Sequence, residues 1–339
     1  LGNALRYAPG PIELAARRLP PSDAWPQGAL RLSVADRGPG RSDAARAAAR
    51  RGSPSLPHAG QGGSGAGLSG AAEGLRWRRC GPLLYGVIEL DEADFPAPPG
   101  SSALQEASAE AYRRIFRLLD AQGLPHLWRV WNYIAGITTE TDGLERYRQF
   151  NIGRQDSFLE FRRGATGNVP AACALGVAAG PLSIAFMAGA HPAVPVENPR
   201  QVSAYNYPAE YGPRSPTFSR AVLVDLPGQE FLFISGTASI VGHQTVHPGD
   251  VAGQCRESLA NVAAVVDEAN RLARSAAFSL ADLSYRIYVR HAADFALVRD
   301  TLLPLIGAAV EIVFVQADIC RNDLLIEIEA FASHPLGSC

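Results

Sequence analysis

Residues 235–250 read SGTASIVGHQTVHPGD, and residues 251–273 continue VAGQCRESLANVAAVVDEANRLA. Gly236, Gly242 and Gly249 permit tight turns between the end of a strand and the start of a helix, and Asp250 stands where its carboxylate can accept that helix's free N–H groups. Along the helix Val251, Cys255, Leu259, Val262, Val266 and Ala269 recur at helical spacing as one apolar stripe. Such a stripe asks for a sheet to cover it. Runs of branched and aromatic residues supply the strands, at 221–225 and 231–234 before the helix and at 283–289, 311–315 and 324–332 after it, with a second helix at 293–306. The order β-β-α-β-α-β-β predicts an α/β fold of the α+β sandwich kind, a mixed sheet covered by helices on one face.

Upstream the signals belong to the same class. Residues 83–90 (LLYGVIEL) read as a strand, stopped by FPAPPG. Between 102 and 123 the residues Leu104, Ala111, Tyr112, Ile115, Leu118 and Leu119 mark an amphipathic helix, with Ser101 or Ser102 as its cap. Residues 127–134 (LWRVWNYI) predict a strand, with others at 171–177, 182–187 and 202–205. Residues from about 41 to 74 are mostly Ala, Arg, Gly and Ser, too poor in large apolar side chains to bury a core, and predict a mobile insertion. The chain therefore divides into an N-terminal segment (1–82), an α/β domain (83–217) and a C-terminal α/β domain (218–335).

Composition excludes several functions. With 47% hydrophobic and 19% charged residues and a net charge of −2, the 339-residue chain has the make-up of a globular protein without the basic surplus that nucleic acid demands. The longest apolar run, 171–190, is broken by Gly176, Gly180, Pro181 and Gly189, so no membrane span is predicted. No charged region followed by an apolar core opens the chain, and the expected location is cytoplasmic, although the first residue is not Met and a trimmed end stays open. Cys80, Cys173, Cys255, Cys320 and Cys339 are scattered without a C-x-x-C pair. Every one of the 31 basic side chains is arginine, which removes a lysine Schiff base or a P-loop lysine from consideration. His243 and His247 are four residues apart, but Thr, Val, Pro and Gly around them favour a loop, and no metal and no cofactor is expected.

The 235–250 turn, the helix carrying Gln254, Glu257 and Asn261, and the closing strand DLLIEIEAFA together resemble the RidA/YjgF family. Four segments narrow the likeness: GLERYRQFNIGR (143–154), YNYPAEYGPRSPTFSR (205–220), SGTASIVGH (235–243) and ICRNDLLIEIEA (319–330) are, taken in order, similar to the chorismatases. The resemblance covers roughly residue 83 onward. It implies two RidA/YjgF-like halves and an enzyme that releases pyruvate from chorismate without a cofactor.

Chorismate carries two carboxylates, so its site needs guanidinium groups, which can bind them bidentately. Arg146, Arg154, Arg214 and Arg290 are the candidates, with Arg154 and Arg214 preferred because Gly-rich segments around them would let backbone approach a ligand; Tyr207 and Tyr211 would add hydroxyls and apolar walls. Any single arginine or tyrosine serves as often in surface pairing or packing. Releasing pyruvate requires protonating the enol-ether methylene carbon, a task for a buried carboxylic acid. Glu327 and Glu329, two residues apart, point to one face of the last strand. The resemblance marks Glu327 as the acid and leaves Glu329 a supporting or structural hydrogen bond; an ion pair with Arg321 or a rim arginine is the alternative for either, more so for Glu329.

The resemblance also implies that two small positions decide the product, here Ala238 and Cys320. Cys seven residues before the acid marks the hydroxybenzoate-forming branch; Ala238, where dedicated 3-hydroxybenzoate enzymes carry Gly, points to a mixture of 3- and 4-hydroxybenzoate. Cys320 is equally readable as a small core residue. Thr237 and Ser239 could place a hydroxyl near the ether, though such residues commonly satisfy nearby backbone. Three alternatives stay open: a hydrolytic chorismatase giving a dihydrodiol, an imine deaminase, weakened because 310–315 is apolar where that type carries arginine, and a non-catalytic metabolite-binding protein. Monomer and homotrimer are both compatible with the sequence.

Overall fold

The computed structural model describes residues 68–307 and 310–336. Most of the low-complexity stretch, up to residue 67, lies outside them. Three strands in succession, β1 (Leu68–Ala72), β2 (Leu75–Cys80) and β3 (Leu83–Leu90), form an antiparallel meander. The sheet thus starts at Leu68, inside the expected insertion. The side chains of β1 are almost all exposed, and full backbone pairing with β2 holds it in place, which composition alone does not reveal.

Helix α1 (Ala103–Gln122) follows, capped by the Ser102 hydroxyl accepting from Gln105 N and stopped by Gly123 in the left-handed region (φ 64°). Next come β4 (His126–Ala135), the short pair β5 (Glu140–Thr141) and β6 (Leu144–Glu145), α2 (Arg146–Glu160), β7 (Ala171–Val177) and β8 (Leu182–Gly189). Gly153 lies mid-helix in α2 because a Cβ there would come within 2.1 Å of Gln105 O; its absence lets α2 press onto α1.

After β9 (Val194–Val196) the chain makes two 3-10 turns, at Ala204–Asn206 and Ala209–Tyr211. The first stands where a strand was expected at 202–205. Asn206 N bonds to Ser203 O and Tyr207 N to Ala204 O, so local bonds engage donors a strand would need. The second half comprises β10 (Ala221–Leu226), β11 (Gln229–Thr237), the pair β12 (Ile240–Val241) and β13 (Gln244–Thr245), α3 (Val251–Leu272), β14 (Ser284–Val289), α4 (Phe295–Ile306), β15 (Ile312–Gln316), β16 (Asp318–Ile319) and β17 (Ile326–Pro335). Asp250 caps α3 by accepting from Gly253 N.

Both sheets repeat one topology. The first has the order β1-β2-β3-β8-β4-β7-β16 and the second β9-β10-β11-β17-β14-β15. Each contains one parallel pair, β4 with β7 and β14 with β15, and each inserts its last long strand between its second and third structural neighbours. The two sheets face each other across a core that includes Tyr85, Trp131 and Met187 from one and Phe231, Phe233 and Tyr288 from the other. Helices α1 and α2 cover the outer face of the first sheet, and α3 and α4 that of the second, giving four layers. Strand β17 shows the alternation: Ile326, Ile328, Ala330 and Ala332 face the helices, while Glu327 and Glu329 face the other sheet. No described helix is long and apolar enough to cross a membrane.

Candidate active site

Two carboxyls in the layer between the sheets need partners, and they find them unequally. Glu329 accepts hydrogen bonds from Arg129, from Trp131 Nε1 (3.0 Å), from Arg286 Nη1 (2.8 Å) and from the Tyr288 hydroxyl (3.1 Å). Burial alone would raise its pKa, but Arg286 and Arg129 outweigh burial and hold it below the ordinary carboxylate value. It is an anion. Glu327, 3% exposed, has its Oε1 without a partner among the described residues. Burial, reinforced by the charge of Glu329 and opposed by Arg129, pushes its carboxyl up to about 8. At neutral pH Glu327 keeps its proton.

The backbone makes room for that acid. Between Ile234 and Thr237 the register of β11 against β17 slips by one residue, a bulge at Ser235 and Gly236. A Cβ on Gly236 would stand 1.9 Å from Glu327 Oε1 and 3.0 Å from the Cys173 Cβ, so glycine is required for the carboxyl to lie where it does. Ser235 anchors the bulge by donating to Ser219 O (2.6 Å) and accepting from Ala172 N (2.9 Å), which ties β11 to β7 of the other sheet.

From the other half, α2 contributes Tyr147, Asn151 and Arg154, spaced i, i+4 and i+7 on one face. Tyr147 lies within electrostatic reach of Cys320, Arg154 and Glu327. Arg154 is 1% exposed, bonds to Asn151 Oδ1 (2.7 Å) and lies over the Phe150 ring (5.0 Å), while its Nε and Asn151 Nδ2 have no hydrogen-bond partner among the described residues. Among the described residues no carboxylate forms an ion pair with Arg154. A buried cation without a counter-charge is costly, and an arriving anion removes that cost.

Cys320 follows β16, the short strand that leaves the second half to pair with β7 of the first sheet. Its side chain keeps some accessible surface but lies deep, and burial, then the nearby Glu327, push its thiol up to about 12. It is a neutral thiol, not a nucleophile. Buried Gln254 fixes this loop by donating to Asp323 O (2.8 Å) and accepting from Leu325 N (2.7 Å). Asn261 does the same for the turn holding buried Ala238, donating to Ala238 O (3.0 Å) and Ile240 O (2.9 Å).

Tyr207 and Tyr211 pack together with ring centroids 5.3 Å apart, and the Arg321 guanidinium covers both, at 5.3 and 4.3 Å. Arg321 Nη1 bonds to His243 O (2.9 Å), and its buried Nη2 has no hydrogen-bond partner among the described residues. Tyr207 accepts from Arg220 Nη2 (2.9 Å), and Tyr211 bonds to His243 Nδ1 (3.1 Å). His243 and His247 lie in and after the β12–β13 turn, and the described residues hold no group of three or more side chains suited to a metal.

Several expected binders are engaged elsewhere. Arg146 begins α2 and bonds to Ala135 O (2.7 Å) and Glu92 (2.5 Å), bracing the helix start. Arg290 bonds to Leu324 O, Asp318, Ile319 O and Arg321 O, all within 3.1 Å, and therefore clamps the Cys320 loop. Arg214 is half-exposed and pairs with Asp156 (3.1 Å). Thr237 donates to Ser235 O (2.8 Å), and Ser239 to Val246 O (2.8 Å). Arg154 lies in a helix rather than a Gly-rich loop, because Gly153 serves helix packing. Sequence reasoning passed over Tyr147, Asn151 and Arg321; the first two were detectable once 146–160 is read as a helix, whereas Arg321 sits beside Cys320 without a periodic signal. A cavity of about 30 Å3 next to Glu329, bounded by Arg129, Arg286, Val313 and Phe331, has room for only a water or two.

Residues 63–188 match the family described as chorismatase FkbO/Hyg5-like, N-terminal. A protein of Streptomyces rapamycinicus named chorismatase is 39% identical over 268 residues, covering 77% of this chain and 78% of its own. The chain belongs to the chorismatase family. A chorismatase crystal structure superposes with a TM-score of 0.72 at 36% identity, covering 78% of each chain. A second relative, a 3-hydroxybenzoate synthase of Streptomyces hygroscopicus, is 38% identical over 244 residues, 68% of this chain and 70% of its own.

Proposed function

We propose that this chorismatase-family protein converts chorismate to pyruvate and 3-hydroxybenzoate, with 4-hydroxybenzoate as a second product. The observation that carries this is that two opposites converge on Tyr147: a buried acid that keeps its proton, Glu327, and a buried guanidinium that no carboxylate among the described residues pairs with, Arg154. Arg154 and Arg321 bind the two carboxylates, and Tyr207 and Tyr211 wall the ring, with Arg220 steadying Tyr207. Glu327 gives its proton to the enol-ether methylene carbon, which leaves an oxocarbenium centre at the ether carbon. The oxygen of the neighbouring ring hydroxyl bonds to the ether-bearing ring carbon as the C–O bond to the pyruvyl group breaks; pyruvate departs and the hydroxyl proton passes to the Glu327 carboxylate. Glu327 returns that proton as the resulting epoxide opens, cleavage at the original carbinol carbon giving the 3-isomer and cleavage at the former ether carbon the 4-isomer, and loss of the ring C–H proton to the Glu327 carboxylate then makes the ring aromatic. No water, metal or redox cofactor enters the balance. Cys320 and Ala238 shape the space near the reacting carbon, and the thiol occupies volume an attacking water would need. Both walls come from one chain, so a monomer suffices as the catalytic unit.

The test is incubation of the purified protein with chorismate, following pyruvate through a coupled assay and resolving the aromatic products by chromatography, with Glu327→Gln alongside. Pyruvate with hydroxybenzoate, lost in the variant, is expected. Pyruvate with a dihydrodiol would move the protein to the hydrolytic branch, and no pyruvate would end the proposal.

A further inference from the structure

The unequal treatment of the two carboxyls follows from strand register. On β14, Arg286 stands directly opposite Glu329 and Tyr288 opposite Glu327. From the facing sheet, β4 brings Arg129 and Trp131 onto Glu329 alone. Two residues along one strand place the carboxyls about 7 Å apart. We propose, resting on the acid role given to Glu327, that Glu329 is a positioning residue: pinned as an anion by Arg129 and Arg286, it repels negative charge on Glu327 and keeps the proton there until substrate takes it.

The other groups around the pair do not compete. Tyr133 of β4, Tyr85 of β3 and Cys173 of β7 are raised by burial and stay neutral. Tyr288 of β14, and Tyr147 and Cys320 at the Glu327 end, are neutral for the same reason. Arg154 carries the remaining charge, within reach of Tyr147 on the substrate side. The fixed charges between the sheets are therefore two guanidiniums and one carboxylate, and the carboxylate adds to burial in keeping the proton on its neighbour.

The pH profile of kcat/KM tests this, since it reports the ionisation of the free enzyme's acid. The wild-type rate falls as pH rises through about 8. Glu329→Gln removes the repelling anion and leaves two guanidiniums that favour ionised Glu327, so the alkaline limb moves down by roughly one to two pH units. Activity at about pH 8 then drops roughly five- to fiftyfold while activity near pH 5.5 stays within a few fold. Arg286→Met strengthens the repulsion and moves the limb upward, and Arg286→Lys leaves it in place. A merely structural role predicts even losses at every pH with the limbs unmoved, which overturns the proposal. Should Glu329→Gln fail to fold by circular dichroism, Arg286→Met decides alone: an upward shift supports the proposal, and a fixed or downward limb overturns it. A wild-type profile without an alkaline limb, or an active Glu327→Gln, overturns the acid role itself, and neither result involves a change at Glu329.

Discussion

Replacing Glu327 with Gln has two expected effects of opposite sign: it abolishes pyruvate release and stabilises the fold increasingly as pH rises. In the folded protein the carboxyl ionises only at about 8, whereas its ordinary value is 4.5. A group whose folded pKa lies above its unfolded one stabilises the fold fully below the unfolded value, and that contribution is lost as pH climbs through the folded value. At about 1.4 kcal/mol per pH unit, the wild type loses roughly 3 to 4 kcal/mol from this side chain between pH 5 and 8. The amide does not titrate and escapes that loss. For a folded unit of this size each kcal/mol moves Tm by about 2 °C, so the Tm difference between variant and wild type should widen by roughly 6 to 8 °C across that window. Scanning calorimetry of both proteins in matched buffers from pH 5 to 9 measures the difference. Packing differences between amide and acid do not depend on pH, so the widening is diagnostic and the absolute Tm is not. A difference that stays flat would mean that Glu327 is ionised throughout, and would refute the reasoning whatever happens to activity.

Three further outcomes are expected. Arg321→Met removes a charge-assisted contact to a substrate carboxylate worth about 3 kcal/mol, so kcat/KM for chorismate should fall roughly 100-fold with the fold intact by circular dichroism. Cys320→Ala opens space beside the reacting carbon, and chromatography should show product moving from hydroxybenzoate toward the dihydrodiol; the wild-type thiol, with its pKa pushed up to about 12, should resist alkylation by iodoacetamide at pH 8. Gly236→Ala puts a methyl group 1.9 Å from the place Glu327 Oε1 now takes, so pyruvate release in the coupled assay should drop by at least 100-fold, about 3 kcal/mol of misplaced acid.

The periodic parts of this fold were legible. The apolar stripe of α3, the alternation of β17 and the Asp250 cap each follow from local physics, and all three stand where the sequence places them. What was hidden depended on backbone pairing, which side-chain pattern does not show, and on partners distant in sequence. Strand β1 has no apolar pattern because β2 holds it through backbone bonds, and β16 is two residues that matter only because β7 waits in the other sheet. Gly153 looked like a loop signal until the carbonyl of Gln105 in α1 explained it. Among the arginines, motif membership could not separate those already satisfied by protein carbonyls and carboxylates, Arg146 and Arg290, from Arg154, which no carboxylate among the described residues pairs with. Only the hydrogen-bond partners make that distinction, and they lie 11 to 54 residues away along the chain.

The repeated strand order makes the protein equivalent to two subunits joined in one chain and released from the need to be identical. Where β17 presents Glu327 and Glu329 to the shared layer, its counterpart β8 presents Ala185 and Met187. A symmetric pair would set acid against acid and arginine against arginine across the midline. On the proposed reading, linkage lets one copy specialise as proton donor while the other lends a helix of arginine, asparagine and tyrosine as the receiving wall, an asymmetric enclosure that suits a ring with two negative ends.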